Sequence, residues 1–329
     1  MASSSSTPPP SISGDSKLFV VVDIGGTKIA SALATQSGSD LPSVSGKSEI
    51  PTPAQAGSQA VVDAVFESVR RCLALTNQTP DAIGIASAGV VNTETGAITS
   101  ATDLIIGWAG TPLGELVERE FGLPVAVLND VHAHALGEWT YGAGKGYDSM
   151  LAVAVGTGIG GAIIAGGTLH LGAHFAAGHV GHVPHPLAAG FACSCGASGH
   201  IESVASGTGQ VTLYNAKKDE GAAEVLSGRE ITERAEAGES FAAQILSESG
   251  AALGDSIAGI ANCVDPQAVV ISGSVTRSGE IWWRALTDAF EAGALPALKE
   301  IKILEGTLGS KAPLLGATAA AANLLQTKQ

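Results

Sequence analysis

Aromatic residues are scarce in this chain, at 4%, and its 17 lysines and arginines face 31 aspartates and glutamates. The formal net charge of -14 argues against a nucleic-acid partner, because neutralising a phosphate backbone takes clustered Lys and Arg. It leaves ATP open, since nucleotide phosphates arrive with magnesium and are held largely by backbone N–H groups. The four cysteines (Cys72, Cys193, Cys195, Cys263) show no disulfide-framework pattern, so a reduced, cytoplasmic setting is the simplest expectation. No run of about 18 apolar residues is free of glycine breaks, and no membrane span is expected. Residues 1–16 are rich in Ser and Pro and have no apolar core. They read as a disordered tail and not as a secretory signal.

What the chain does have is 45% hydrophobic residues and 43 glycines, the mix of an Ala/Val/Ile/Gly-rich α/β protein. Its 329 residues suffice for two domains of roughly 100–200 residues. Leu18–Asp23 reads as a buried strand, followed by a glycine turn and a returning strand to Ala34. Helical spacing marks 57–76 (Val61, Val62, Val65, Val69, Leu73), and Ala82–Ala86 is a second buried strand. A helix over Leu113–Phe121, a strand over Val125–Leu128 and a helix over Val131–Tyr141 follow. This alternation predicts a mostly parallel sheet with covering helices. Met150–Val155, a tight glycine turn and Ala162–Ala165 then repeat the opening pattern, which suggests two similar halves facing each other across a cleft. A long helix over 238–264, a strand over Ala268–Ser272 and a last helix over 314–325 complete the reading.

Two glycine loops carry the first chemical signal. In the loop Asp23-Ile24-Gly25-Gly26-Thr27-Lys28, paired glycines let backbone approach an anion, and Thr27 and Lys28 add donors. Asp23, at a strand end, could hold magnesium through water. The second loop runs Gly156-Thr157-Gly158-Ile-Gly-Gly161. Either loop alone could be a plain hairpin turn; two similar ones favour phosphate binding. Asp130, after Asn129 at the end of a strand, could be a helix cap or a general base in the crevice where α/β folds bind ligands. Asn129 can both donate to and accept from a sugar hydroxyl.

The most specific signal lies between 179 and 202. His182, Cys193, Cys195 and His200 could close a tetrahedral zinc site, and the long gap after His182 gives it a structural, loop-clamping role. Glu202, two residues on, could hydrogen-bond sugar hydroxyls with the zinc clamp behind it. Six of the eight histidines fall between 170 and 200, which makes incidental clustering the weaker reading.

These motifs together resemble those of the ROK family (repressors, open reading frames and sugar kinases) of the actin–hexokinase superfamily. The resemblance rests on Asp23–Lys28, Gly84–Gly89, Leu128–Asp130, Gly156–Gly161, Gly178-His-Val-Gly-His182, Cys193–Ser206, Ser272–Val275 and Leu315–Thr318, nearly the whole chain beyond residue 17. It implies two actin-like (ribonuclease H-like) domains with ATP and sugar between them. They would comprise 17–130, on which a terminal helix over 314–327 packs back, and 131–313. It implies Asp130 as base toward a sugar 6-hydroxyl, with Gly89, Asn129, His179, His182 and Glu202 on the sugar side. Gly273 belongs to the adenosine-side loop, and a homodimer is expected.

Three positions depart from the family pattern. His179 stands where Glu is usual, His200 where a third Cys is usual, and Asp103 where an Asn is common. The Gly-His-x-Gly-His pattern resembles that of bacterial N-acetylmannosamine kinases. The expected activity is therefore ATP-dependent phosphorylation of N-acetylmannosamine, with a glucokinase or other hexose kinase as the alternative. A ROK repressor would need an N-terminal helix-turn-helix of roughly 60–80 residues; only about 17 Ser/Pro-rich residues precede the first expected strand.

Overall fold

The computed structural model describes residues 16–327. The tail expected over 1–16 lies outside the described residues except for Ser16, which already pairs with Ser37. β1 (Ser16–Ile24) turns into β2 (Lys28–Ser37) and then β3 (Ser43–Pro51). After α1 (Ser58–Leu73) come β4 (Ala82–Ser87), a small hairpin of β5 (Val90–Asn92) and β6 (Ala97–Ser100), α2 (Leu113–Phe121) and β7 (Val125–Asn129). The first sheet has the order β3-β2-β1-β4-β7.

α3 (Asp130–Tyr141) leads to β8 (Met150–Val155), β9 (Ile159–Ala165) and β10 (Thr168–His170). Four helices follow: α4 (Glu202–Ala205), α5 (Gly207–Lys217), α6 (Gly228–Glu236) and α7 (Ser240–Val264). Then come β11 (Ala268–Ser272), α8 (Glu280–Gly293), β12 (Lys302–Glu305) and α9 (Ala312–Thr327). The second sheet has the order β10-β9-β8-β11-β12, the same topology as the first.

Neither sheet is mostly parallel. In each, the first three strands in sequence pair antiparallel and the remaining two add in parallel. The glycine turns are the reason. Three residues can join two antiparallel strands, whereas a parallel neighbour needs a crossover of a dozen residues or more.

Alternation along β1 fixes its two faces. Leu18, Val20 and Val22 join Val61, Val65 and Val69 of α1 in one core, while Phe19 and Val21 join Leu314, Ala317 and Ala321 of α9 in another. α9 therefore returns from the end of the chain to cover the first sheet, packing on β1, β4 and β7 as well as α3. α3 and α9 cross backbone to backbone: a Cβ on Gly316 would fall 1.7 Å from Ala133 O. α3 also touches β8 and β9, so it is the element common to both sheets. The second sheet is covered by α7 and α8, whose Ile245, Leu253, Ile257, Trp282 and Leu286 pack with Val153 and Ile271. Among the described residues, no helix is long and apolar enough to cross a membrane.

Candidate active site

The carboxyl ends of β1, β4 and β7 place Asp23, Ser87 and Asn129 along one edge of the first sheet, with Ile24, Ser87 and Asn129 in direct register. Asp130 opens α3 beside them. Asn129 caps that helix: its Oδ1 accepts from Val131 N (3.0 Å) and His132 N (3.1 Å). Its Nδ2 donates to Gly89 O (2.8 Å) and to Asp130 Oδ1 (2.9 Å). Asn129, expected against the sugar, thus has two donors and two acceptor sites engaged with protein groups. It positions Asp130. Gly89 is held in turn by this bond, and Trp108 Nε1 donates to Ser87 Oγ and Ala88 O just before it.

Asp130 and Asp23 are both half-buried carboxyls. Burial pushes Asp130 from the ordinary 3.8 up to about 6, against hydrogen bonds from Val131 and Asn129 that favour its charge. Asp23 is also pushed up to about 6, first by burial and then by the charge of Asp130, with Lys28 and Lys47 acting in the opposite sense. Two carboxyls that sense each other across a strand edge are suited to one base and one cation-binding group.

The first glycine loop is closed by Gly25 N donating to Lys28 O (3.0 Å) and is braced by Thr52, whose hydroxyl donates to Gly25 O (2.7 Å). Leu104 packs over Gly26. Lys28, expected at phosphate, pairs with Glu49 at 2.9 Å in an exposed ion pair, which contributes little. Thr27 is exposed. In the second loop Gly156 N donates to Gly158 O (2.9 Å), and Thr157 O accepts from Thr208 Oγ1 (2.7 Å). Glu202 pins this loop: its Oε2 accepts from Ile159 N (2.9 Å), and its Oε1 accepts from Ser194 Oγ (2.5 Å). Val131 of α3 lies against Gly160, so the second loop meets the N-terminus of α3.

The stretch from His182 to His200 doubles back on itself. Ile201 N donates to Val183 O (2.9 Å), His185 N to Gly199 O (3.0 Å) and Cys193 N to Ala197 O (2.8 Å). This ribbon gathers His182, Cys193, Cys195 and His200 so that one ligand atom of each lies within 4.8 Å of the others. His182 Nδ1 is 3.5 Å from Cys193 Sγ, and His200 Nδ1 is 3.3 Å from Cys195 Sγ. Zinc bonds of about 2.0–2.3 Å in a tetrahedron give ligand–ligand edges of about 3.3–3.8 Å, so the donor set fits zinc once its longest edges close by about 1–1.5 Å.

A row of imidazoles leads from this cluster to His132 on α3. His200 stands against His182 (ring centroids 5.4 Å), His182 against His179 (6.3 Å) and His179 against His132 (6.1 Å). His132, only 1% exposed, hydrogen-bonds Ala177 O at 2.9 Å and so ties the 177–179 segment to α3. His132 was not singled out from sequence; its place two residues after Asp130 was the available signal. Burial lowers the pKa of His179 and so favours its neutral form, and its Nδ1 is buried without a hydrogen bond of good geometry.

A cleft of about 830 Å³ opens beside Gly273 and is lined by Gly207, Gln210, Arg229, Glu233, Ser274 and Arg277, among others. Gly273 has φ +101°, and a Cβ there would lie 2.3 Å from Val155 O, so only glycine fits the turn. The sequence reading found Gly273 but not the opposite wall from α5 and α6, whose helices it had not anticipated.

Comparison with known proteins agrees with this arrangement. The family model described as ROK family matches residues 19–323. A glucokinase of Halalkalibacterium halodurans is 33% identical, with 91% of this chain and 93% of that protein covered. An N-acetylmannosamine kinase of Yersinia pseudotuberculosis is 32% identical, covering 91% and 96%. The crystal structure of a Streptomyces griseus glucokinase in complex with glucose and AMPPNP is 30% identical. It superposes with a TM-score of 0.77 over 93% of this chain and 99% of that one.

Proposed function

This chain belongs to the ROK family, and from that membership and the cleft just described we propose that it transfers the γ-phosphoryl group of ATP to the 6-hydroxyl of N-acetylmannosamine. Relatives named glucokinase and N-acetylmannosamine kinase both support a sugar kinase. The two domains would be 17–130 with the terminal helix, and 131–313, with the substrates between them.

Asp130 acts as the base. Its carboxylate, oriented by Asn129, accepts the proton of the sugar hydroxyl as that oxygen attacks phosphorus. Asp23 holds the magnesium that accompanies ATP, whose charge offsets that of the phosphates. The backbone of Gly25, Gly26, Gly156 and Gly158 faces the phosphates, and the cleft beside Gly273 takes the nucleoside. Zinc on His182, Cys193, Cys195 and His200 supplies a structural brace. Glu202 then fixes the 156–159 loop from one oxygen and keeps acceptor capacity for a sugar hydroxyl.

Asp130 must be ionised to act, so kcat/KM should rise with pH through about 6 and level off above it. Because Asp23 titrates in the same range and the two repel, the acidic limb belongs to the pair. A pH–rate profile flat between pH 5 and 8 would remove Asp130 from this role.

The observation that carries the amino sugar is His179. It sits between His132, on the catalytic helix, and His182, of the proposed zinc set. A neutral imidazole there offers one donor and one acceptor where a glutamate would offer acceptors only. That suits an axial C2 acetamido group better than a plain hydroxyl. Glucose is the second reading, favoured by the likeness to the glucose-bound Streptomyces griseus enzyme. His179→Glu is expected to move the kcat/KM ratio toward glucose by roughly tenfold or more. An unchanged ratio would leave His179 as a packing residue and return the protein to a generic hexose kinase.

A further inference from the structure

α3 carries a second contact that the transfer mechanism does not use. His134 lies four residues after Asp130, on the same face of the helix. Its Nε2 is hydrogen-bonded to Ser272 Oγ at 2.6 Å, across 138 residues of sequence. Ser272 is the last residue of β11, is 4% exposed, and directly precedes Gly273. Ser274, Arg277 and Ser278, on the short turn beyond Gly273, line the large cleft. One hydrogen bond therefore joins the helix that presents the base to the turn that presents the nucleotide site.

We propose that His134 is a positioning residue: it sets the nucleotide-side turn relative to Asp130, and with it the distance between phosphate donor and sugar hydroxyl. The inference rests on the nucleotide reading of that cleft. Three features make the link consequential. Ser272 Oγ is buried, so losing its partner leaves a polar group without a hydrogen bond. Gly273, at φ +101°, packs closely against Val155 O at the end of β8, so the Ser272–Gly273 turn is seated between β11 and β8 and has little room to adjust. One helical turn further on, Glu138 anchors the same helix a second time, accepting from Ala143 N (3.0 Å), Thr307 N (3.1 Å) and Leu308 N (2.8 Å). With that anchor in place, loss of the His134 bond frees the end of β11 to shift relative to α3, while α3 stays tied to the 307–308 segment and the turn stays seated on β8. Burial lowers the pKa of His134 and so favours its neutral form, as a hydrogen bond to a hydroxyl allows, with the charge of Glu138 acting in the opposite sense.

The test combines calorimetric binding of AMPPNP with magnesium, calorimetric binding of sugar, and steady-state rates. His134→Leu is expected to weaken AMPPNP binding and to lower kcat by about tenfold, the equivalent of one buried hydrogen bond. Sugar affinity should stay within about twofold. His134→Gln, whose terminal amide reaches the place of Nε2, should recover most of the loss. Ser272→Ala should reproduce it, and the double variant should be no worse than either single one, since each removes the same bond. Should His134→Leu not fold, Ser272→Ala carries the same expectation. Unchanged nucleotide binding and kcat, equal losses for sugar and nucleotide, or additive effects in the double variant would overturn the inference. If the unmodified protein binds sugar but not AMPPNP, the nucleotide reading itself falls, and this inference with it.

Discussion

Asp130→Asn is expected to lower kcat by about 10²–10⁴-fold while sugar and AMPPNP affinities hold. The substitution is close to isosteric, and the asparagine oxygen can still accept from Val131 N and Asn129 Nδ2, so the start of α3 should keep its form. What is lost is the proposed acceptor of the hydroxyl proton. The same variant makes a stability prediction of opposite sign. The folded-state pKa of Asp130 is raised from 3.8 to about 6 by burial. The fold therefore binds this proton more tightly than the unfolded chain does. Its stabilising contribution is full below about pH 4 and is lost as pH rises through about 6. Removing the charge should thus raise the Tm of the ligand-free protein at pH 8, with a gain that shrinks toward pH 5. A Tm that falls at pH 8, together with loss of both substrates, would mean that Asp130 holds the structure and not the chemistry.

Cys195→Ser is expected to release the metal and to weaken sugar binding by roughly tenfold or more, with AMPPNP affinity nearly unchanged. Cys195 is exposed and belongs to no core, so its loss removes a ligand and little packing. The row of rings from His200 through His182 and His179 to His132 would lose its fixed end. Glu202 would lose the Ser194 contact that lies between the two cysteines. The cleft proposed for the nucleoside is lined from α5, α6 and the turn after Gly273, none of which belongs to that ribbon. Elemental analysis of protein never exposed to chelator should give about one zinc per chain before the substitution and none after. Absence of zinc from the unmodified protein would contradict the metal assignment.

Apolar runs and glycine turns made β1, β2, β4, β7, β8, β9, β11 and the repeated half-fold legible, because a buried strand and a hairpin each leave a short-range signature; β3, β5, β6, β10 and β12, short or largely exposed, left none and were missed. β8 and β11 match their expected bounds, and the long helix expected over 238–264 is found at Ser240–Val264. Strand direction was not legible from alternation with helices. It became so only with the rule that a three-residue connection forces an antiparallel pair. α5, α6 and α8 all start at glycine-containing turns and were missed, although in α8 the buried Trp282, Leu286 and Phe290 carry a helical spacing. For α6 only Ile231 is buried. The wall of the large cleft that α5 and α6 build was therefore missed as well. In the site, residue type and spacing were enough to nominate His182, Cys193, Cys195 and His200, which the fold brings together. The task of Asn129 was not legible, since whether an amide faces a ligand or caps a helix depends on φ and ψ at one residue. The links from His132 to Ala177 and from His134 to Ser272 join distant segments and leave no local trace.

The most direct test of the whole account is a coupled assay of ATP consumption with N-acetylmannosamine, N-acetylglucosamine, glucose and mannose, run on the unmodified protein and on Asp130→Asn. The account predicts turnover that depends on ATP, is highest in kcat/KM for N-acetylmannosamine, and collapses in the variant. Glucose as the best substrate would contradict the assignment drawn from His179, and the absence of turnover with all four sugars would contradict the kinase itself.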